Sequence, residues 1–372
     1  MKGGLHMYDR FYPGKPWLDT NGNRIQAHGG SIVFLDGVYY WYGENKEKTD
    51  GISPVWHWGV RCYTSTDLYN WEDRGLIIPP EPEDETSSLH PNRAMDRPHI
   101  IYNEKTKKYV CWLKIQNPDQ TQSMTVLTAD NILGPYTKVR ENLKPHGMSS
   151  GDFDLVVAPD GKAYYYFEKV HTEIICTELT EDYLDVTDKY TSHFPKPYPP
   201  YVREAPAHFT RNGKHYLITS GTTGYSPNPS EVAIADDWHG PFQVLGDPHP
   251  QDESRTSYHS QVSCVFKVEG KKDLYIACAD RWLPERMDDQ YDEYAKMYEA
   301  FFNPAVDIMP LVMEIIARTG EQPKDGDIAG FVQKLLPVAN TQIADYVWLP
   351  IRFDGEMAYL DWHNEWRIED YE

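Results

Sequence analysis

One glutamate stands in a setting that could hold a proton near neutral pH. Glu204 follows Arg203 and precedes an apolar Ala-Pro-Ala stretch, and a strand-like run, GKHYLITSG, begins at residue 213. Apolar neighbours raise the pKa of a carboxyl group, whereas an adjacent cation lowers it. If the first effect prevails, the glutamate can act as a general acid. On this stretch alone, an exposed glutamate ahead of a strand is the more ordinary interpretation, because most perturbed carboxyl groups are structural.

Polar side chains recur at the starts of other apolar runs. They are Gln26 and His28, Asp96 and Arg97, Asp152, Glu204, and Ser260 with Gln261. Strands that face a core normally start with apolar residues, so a repeated polar start predicts side chains that converge on one site. Hydrolysis of a glycosidic bond needs such a set, because an acid and a base or nucleophile must flank the anomeric carbon.

The elements that would position these residues are repeated hairpins. Each copy has an apolar run, a turn and an aromatic-rich run, which is typical of a β-hairpin. The copies are residues 31–44, 98–113, 154–168, 206–221 and 263–282, and second strand pairs follow at 60–75, 123–139, 174–187 and 231–245. Five copies of a four-stranded unit predict an all-β fold, a five-bladed β-propeller, rather than an irregular β-sandwich.

One region interrupts the strand pattern. Tyr291, Tyr294, Tyr298 and Phe301 recur at helical spacing, a second apolar series starts at Ile308, and a short helix is expected over 327–336. We therefore predict that residues 1–372 form a single propeller domain with a helical insertion at 283–340 in the last blade. Packing decoration or contact between copies in a homo-oligomer is the expected role of the insertion, ahead of a lid.

The composition limits the classes of partner. A net charge of -21 argues against nucleic acid and an anionic membrane surface, and it is compatible with a neutral carbohydrate. Five scattered cysteines and an N-terminus without an apolar signal segment predict free thiols and a cytoplasmic protein, with a secreted form as the alternative. No metal-ligand pattern or phosphate loop occurs, so no metal or cofactor is expected.

Nine short motifs lie in a fixed order along the chain. They are IQAHGG (25–30), YYWYGE (39–44), DRPHIIYN (96–103), SGDFDL (150–155), REAPAHF (203–209), SGTTGYSPN (220–228), SQV (260–262), ADRW (279–282) and YVWLP (346–350). In type and order they resemble glycoside hydrolase family 43, and within it the exo-β-1,3-galactanase-like branch. This resemblance covers residues 18–282 and 345–366, and it implies a five-bladed propeller that inverts the anomeric carbon. The insertion departs from the family pattern, in which YVWLP soon follows ADRW.

The resemblance also implies roles for single residues. Glu204 would be the general acid, and Asp152 would tune the pKa of the acid and orient the sugar. Asp96 stands where this branch usually has glutamate before Arg-Pro. Most of the wider family has a catalytic-base aspartate in the first blade, where this chain and the branch have none, and Gln261 matches the glutamine proposed for that role. A neutral amide is a poor base and would need a tautomer or a proton relay, so Asp96 acting through water is the alternative.

Further sugar-binding candidates are Glu44, His28, Gln26, Arg97, Tyr225 and Trp282. Glu44 ends a strand and could accept bonds from hydroxyl groups or face solvent. Tyr225 and Trp282 could stack on a sugar or pack in the core, and Trp41 is expected in the core. His28 could bind a hydroxyl, a water or a central ion, or could be a structural histidine.

Together these features predict an inverting, exo-acting glycoside hydrolase. The expected product is galactose from the end of a β-1,3-galactan-type chain, so the partner is an oligosaccharide or a polysaccharide side chain. An α-L-arabinofuranosidase or β-xylosidase of the same family is the first alternative. A non-catalytic carbohydrate-binding propeller is the second, because the first-blade aspartate is missing.

Overall fold

Repeated four-stranded sheets make up the described chain. The computed structural model describes residues 7–324, 327–333 and 339–372. Within these ranges, twenty strands form five sheets of four strands, and in every sheet the strands pair antiparallel in chain order. Each sheet is therefore one blade, and the predicted five-bladed propeller is confirmed.

The strands have the following bounds. Blade 1 contains β1 (His28–Leu35), β2 (Val38–Glu44), β3 (Val60–Ser65) and β4 (Glu72–Ile78). Blade 2 contains β5 (Ala94–Asn103), β6 (Lys108–Gln116), β7 (Gln122–Ala129) and β8 (Thr137–Leu143). Blade 3 contains β9 (Ser150–Val157), β10 (Ala163–Lys169), β11 (Glu173–Leu179) and β12 (Val186–His193). Blade 4 contains β13 (Arg203–Arg211), β14 (Lys214–Gly221), β15 (Glu231–Ala235) and β16 (Gln243–Gly246). Blade 5 contains β17 (Gln261–Lys267), β18 (Tyr275–Arg281), β19 (Asp345–Asp354) and β20 (Met357–Leu360).

The first strand of each blade lies innermost. Strands β1, β5, β9, β13 and β17 contact their neighbours in a closed ring around a central channel. A separate hydrophobic cluster fills each gap between adjacent blades. Because apolar burial is the main force that holds the blades together, the ring fixes the relative positions of the five strand starts.

Aromatic residues close the ring between blades 5 and 1. Phe11 and Trp366 pair through their backbones and stack with ring centroids 4.2 Å apart. Trp348 of blade 5 lies 4.6 Å from Trp41 of blade 1 and 5.1 Å from Trp17. Trp41 belongs to the core, as predicted. The two ends of the described chain thus seal the ring.

The predicted helical insertion lies between the second and third strands of blade 5. It contains α1 (Tyr291–Phe302), α2 (Met309–Thr319) and α3 (Ile328–Gln333). Helices α2 and α3 share a small apolar cluster. The expected continuation of α3 to residue 336 lies outside the described residues. Among the described helices, none is long and apolar enough to cross a membrane.

Candidate active site

Each blade places two polar residues at the same end of its first hairpin, one from the start of its first strand and one from the end of its second. The antiparallel register sets His28 opposite Glu44, Asp96 opposite Lys114, Glu204 opposite Ser220 and Gln261 opposite Asp280. In blade 3, Glu168 lies beside the irregular step at Gly151 and Asp152. The residues predicted from strand starts therefore have partners that the sequence analysis missed: Lys114, Glu168, Ser220 and Asp280. A search for polar residues at the ends of the second strands would have found them, since Glu44 is one of this class.

The first hairpin of every blade is irregular at this point. Its register shifts next to the site residue in all five blades. In three blades the following residue has a left-handed backbone, with φ of 57° at Gly29, 54° at Arg97 and 49° at Ala205. Bulges of this kind turn a side chain away from the regular alternation of a strand. They explain how polar residues at an otherwise apolar strand reach the channel.

Glu204 is partly exposed and its carboxyl is bonded by a neutral amide. Gln261 Nε2 donates to Glu204 Oε1 at 3.3 Å and to Ser220 Oγ at 2.9 Å. The adjacent cation, Arg203, is buried away from this carboxyl, where it pairs with Glu231 at 3.0 Å and bonds to Thr219. The positive charge of Arg203, which could have lowered the pKa of Glu204, is therefore paired with Glu231 instead.

Lys114 joins two carboxylates from different blades. Its Nζ lies 3.1 Å from Asp96 Oδ2 and 2.8 Å from Asp152 Oδ1. Arg97 extends this network, since its Nη2 lies 3.1 Å from Asp152 Oδ2 and donates to Gln261 Oε1 at 2.6 Å. Asp96, Asp152, Arg97, Gln261 and Glu204 are therefore brought together, as the sequence analysis expected.

The carboxyl groups of the site differ in their protonation state at neutral pH. Burial raises the pKa of Glu204 well above its usual range, and the nearby Asp152 and Glu168 raise it further. Burial also acts on Asp96, but Lys114, Lys46 and the Trp56 indole outweigh it and lower the pKa to about 2. Arg97 and Lys114 overcome burial in the same way and lower the pKa of Asp152. At neutral pH the arrangement holds a protonated acid beside ionised carboxylates.

Two further carboxyl groups are buried at the ends of second strands. Burial raises the pKa of Glu44 to about 7, although its Oε2 lies 2.8 Å from Lys46 Nζ. Burial likewise raises the pKa of Glu168 to about 7, and its Oε1 accepts a bond from the His171 backbone N–H at 2.7 Å. A Cβ at Gly151 would lie 2.2 Å from Glu168 Oε2, so the glycine makes room for this carboxyl group. Glu44 is 2% exposed, so it is not the solvent-facing strand end considered above.

Three aromatic rings line one side of the site. Trp56 stacks on Tyr225 with centroids 5.7 Å apart, and Tyr225 contacts Trp282 at 5.2 Å. The indoles point toward the polar centre, because Trp56 Nε1 donates to Asp96 Oδ1 at 2.6 Å and Trp282 Nε1 to Gln261 Oε1 at 3.4 Å. Tyr225 and Trp282 therefore lie at the site, and Trp56 is an addition that the sequence analysis missed.

Gln26 and His28 lie below the channel surface. His28 is fully buried, its Nδ1 lies 3.0 Å from Asp280 Oδ1, and its ring stacks on Tyr346 with centroids 4.8 Å apart. Gln26 is 4% exposed and donates to the Gln342 carbonyl. Both side chains are engaged with the protein, and His28 has the contacts of a structural histidine. Among the described residues, no group of three or more His, Cys, Asp or Glu is arranged to hold a metal ion.

Comparisons with known proteins give one consistent result. The model for glycosyl hydrolases family 43 matches residues 25–283. A GH43 β-1,3-galactosidase of known structure is similar with a TM-score of 0.73 and 28% identity, over 97% of this chain and 64% of that chain. A second GH43 β-1,3-galactosidase, solved with galactodeoxynojirimycin, has a TM-score of 0.72 and 26% identity, over 96% and 100%.

An exo-β-1,3-galactanase from Clostridium thermocellum is also similar, with a TM-score of 0.68 and 25% identity, over 96% of this chain and 66% of that chain. This chain thus spans 64% of the first of these structures. No curated protein sequence matches it.

The buried carboxyl of Glu168 predicts a pH-dependent stability. Because its pKa is raised from 4.5 to about 7, the folded protein holds a proton that the unfolded chain releases, and this stabilisation is lost as pH rises from 4.5 to 7. Gln at this position stays neutral. We expect E168Q to gain about 3 kcal/mol of unfolding free energy relative to the wild type between pH 4.5 and pH 8, measured by urea denaturation.

The exposed Glu83 provides the control for this experiment. E83Q should follow the wild-type curve at every pH. Parallel curves for E168Q and the wild type would contradict the raised pKa of Glu168.

Proposed function

The chain belongs to glycosyl hydrolase family 43, and we propose that it removes terminal galactose from β-1,3-linked galactan chains with inversion at the anomeric carbon. The substrate class is supported by the two GH43 β-1,3-galactosidases that match at 28% and 26% identity. The neutral, hydroxyl-rich character of such a chain suits a protein with a net charge of -21. A channel with aromatic rings along one side can bind the sugar at the end of such a chain.

The observation that carries the proposal is the bonded cluster in which Gln261 contacts Glu204 at 3.3 Å and Arg97 links Gln261 to Asp152 at 2.6 and 3.1 Å, with the pKa of Glu204 raised and that of Asp152 lowered. In this reaction Glu204 gives its proton to the glycosidic oxygen as the bond from that oxygen to the anomeric carbon breaks. Burial, and after it the negative charge of Asp152, raises the pKa of Glu204 and keeps the acid protonated beforehand. Gln261 donates to Glu204 Oε1 and so leaves Oε2 to carry the proton toward the leaving group.

The second half of the reaction is assigned to Asp96. A water must attack the anomeric carbon from the face opposite the acid and lose a proton as the new bond forms. Gln261 is poorly suited, because it is a neutral amide whose oxygen accepts from Arg97 and Trp282 and whose nitrogen donates to Glu204. Asp96 also has both oxygens bonded, by Trp56 and Lys114, but it is an ionised carboxylate and can accept a proton. It therefore takes the proton of the water.

Remaining side chains bind the terminal sugar. Arg97 is 5% exposed and its Nη1 has no hydrogen-bond partner among the described residues, so this nitrogen supplies a donor for a sugar oxygen. Tyr225, Trp282 and Trp56 supply apolar ring faces for the C–H groups of the sugar. Glu44 acts indirectly, because its Oε1 holds the Arg97 backbone N–H at 2.9 Å.

Two further expectations of the sequence analysis concern association between copies and location in the cell. Contact between copies through the insertion stays a prediction, with exposed apolar side chains at Met309 and Met313. A cytoplasmic location stays a prediction as well. The five cysteines are free and buried, which is compatible with it.

Substrate and stereochemistry are tested together with a panel of 4-nitrophenyl glycosides and β-1,3-galactobiose. We expect release of galactose from β-galactosides and none of arabinose or xylose, with α-galactose as the first product by ¹H NMR. Cleavage of arabinosides or xylosides alone would favour the other activities of the family. Retention of configuration would overturn the mechanism, and binding without cleavage would favour a carbohydrate-binding propeller.

Loss of the acid should depend on the leaving group. E204Q should lower kcat on β-1,3-galactobiose by about 10²–10⁴-fold, because the leaving alkoxide then departs without a proton. On 2,4-dinitrophenyl β-galactoside, whose leaving group needs no protonation, the loss should be small. E231Q, on the same blade and paired with Arg203, is the matched control. Equal losses on both substrates would remove Glu204 as the acid.

Loss of the base should be independent of the leaving group. D96N should slow the hydrolysis of β-galactosyl fluoride and of galactobiose alike by about 10²-fold or more. Azide should restore turnover of the fluoride, because it attacks without deprotonation.

Q261A is the comparison variant, and it should slow the hydrolysis of galactobiose and largely spare that of the fluoride. The reverse pattern, with azide rescue of Q261A only, would assign the base to Gln261.

A further inference from the structure

Helix α1 of the insertion lies against the rim of the channel. Its hydrogen bonds reach blade 4 and the chain segments that connect this blade to blades 3 and 5. The Tyr298 O–H donates to the Thr223 carbonyl at 2.7 Å, the Tyr201 O–H to Glu299 at 2.9 Å, and Asn303 Nδ2 to Tyr198 Oη at 2.8 Å. The Tyr291 backbone N–H bonds to the Ser254 carbonyl at 3.1 Å. The helix is thus held to blade 4 and to both connections of that blade.

This position is on the side of the acid. Thr223 follows Ser220, which lies opposite Glu204 in the hairpin of blade 4. Burial raises the pKa of Tyr298, and Glu204 in its ionised form raises it further, so the two groups are within electrostatic range. Because the acid protonates the oxygen of the leaving group, the leaving sugar must pass on this side of the terminal galactose.

The end of α1 also contacts the turn between β10 and β11 of blade 3. The Phe302 ring lies edge-on to the His171 ring with centroids 5.3 Å apart, and it stacks on Tyr298 at 6.3 Å. Both Phe302 and His171 are partly exposed. The His171 backbone N–H donates to Glu168 Oε1. Burial lowers the pKa of the His171 ring, and the positive charge of Lys114 lowers it further. The ring pair therefore borders the carboxyl groups of the site.

We propose that Phe302 and His171 form the platform for the second sugar of the chain, the leaving group of the reaction. The inference rests on the proposed function and adds the determinant of leaving-group selectivity. The observation behind it is a partly exposed aromatic pair next to Glu168, on the side where the acid acts. Aromatic faces bind the C–H groups of a neutral sugar and need no charge. One of the two rings comes from the insertion, which is the part of the chain that departs from the family pattern.

The test separates the leaving sugar from the terminal one. β-Galactosyl fluoride has a leaving group of one atom, which cannot reach a platform, whereas β-1,3-galactobiose places a full sugar there. F302A and H171A should each lower kcat/KM on galactobiose by about five- to tenfold and change the fluoride reaction by less than twofold. Inhibition by free galactose should be unchanged, because galactose occupies the terminal position.

Two matched variants control for folding. M313A removes a side chain of α2 in the same insertion, which is 58% exposed, and should behave as wild type on both substrates. H171F keeps a ring of similar size and should restore galactobiose turnover. Equal losses on the fluoride and galactobiose, or a loss in M313A equal to that in F302A, would overturn the platform. A wild-type protein that cleaves neither substrate would overturn the proposed function together with the platform.

Discussion

The ion pairs of Lys114 set the protonation pattern of the whole site. One ammonium group contacts carboxylates from blades 2 and 3. Together with Arg97 at Asp152 and Lys46 at Asp96, it keeps both ionised in a place where burial alone would protonate them. Because Asp152 is held as an anion, its charge adds to burial and keeps the proton on Glu204. A protonated carboxyl group and ionised carboxylates can therefore coexist in one channel, as the proposed mechanism requires.

The propeller makes this arrangement possible by repetition. Each blade supplies a polar pair from the start of one strand and the end of the next, and the closed ring brings all five pairs to one axis. Local bulges turn the side chains inward at the cost of backbone strain at Arg97 and Ala205. The hydrophobic clusters between the blades provide the rigidity that holds these positions.

The helical insertion changes one sector of this ring. It adds a helix beside blade 4, where Tyr298 is bonded to the loop that follows Ser220. The charged residues of the site come from the blades, whereas the platform that we propose for the leaving sugar comes partly from the insertion. A chain can thus keep the reaction of its family and vary the molecules that it accepts.

The sequence alone determined the five hairpins, the place of the insertion and most of the polar residues at strand starts, because period-two alternation and turn residues are local signals. It also indicated the family through nine ordered motifs. Only the tertiary structure decided that Arg203 faces away from Glu204, that His28 and Gln26 are buried, and that Lys114 and Glu168 complete the site. The protonation of a carboxyl group depends on burial and on charges from other blades, and neither is encoded in neighbouring residues.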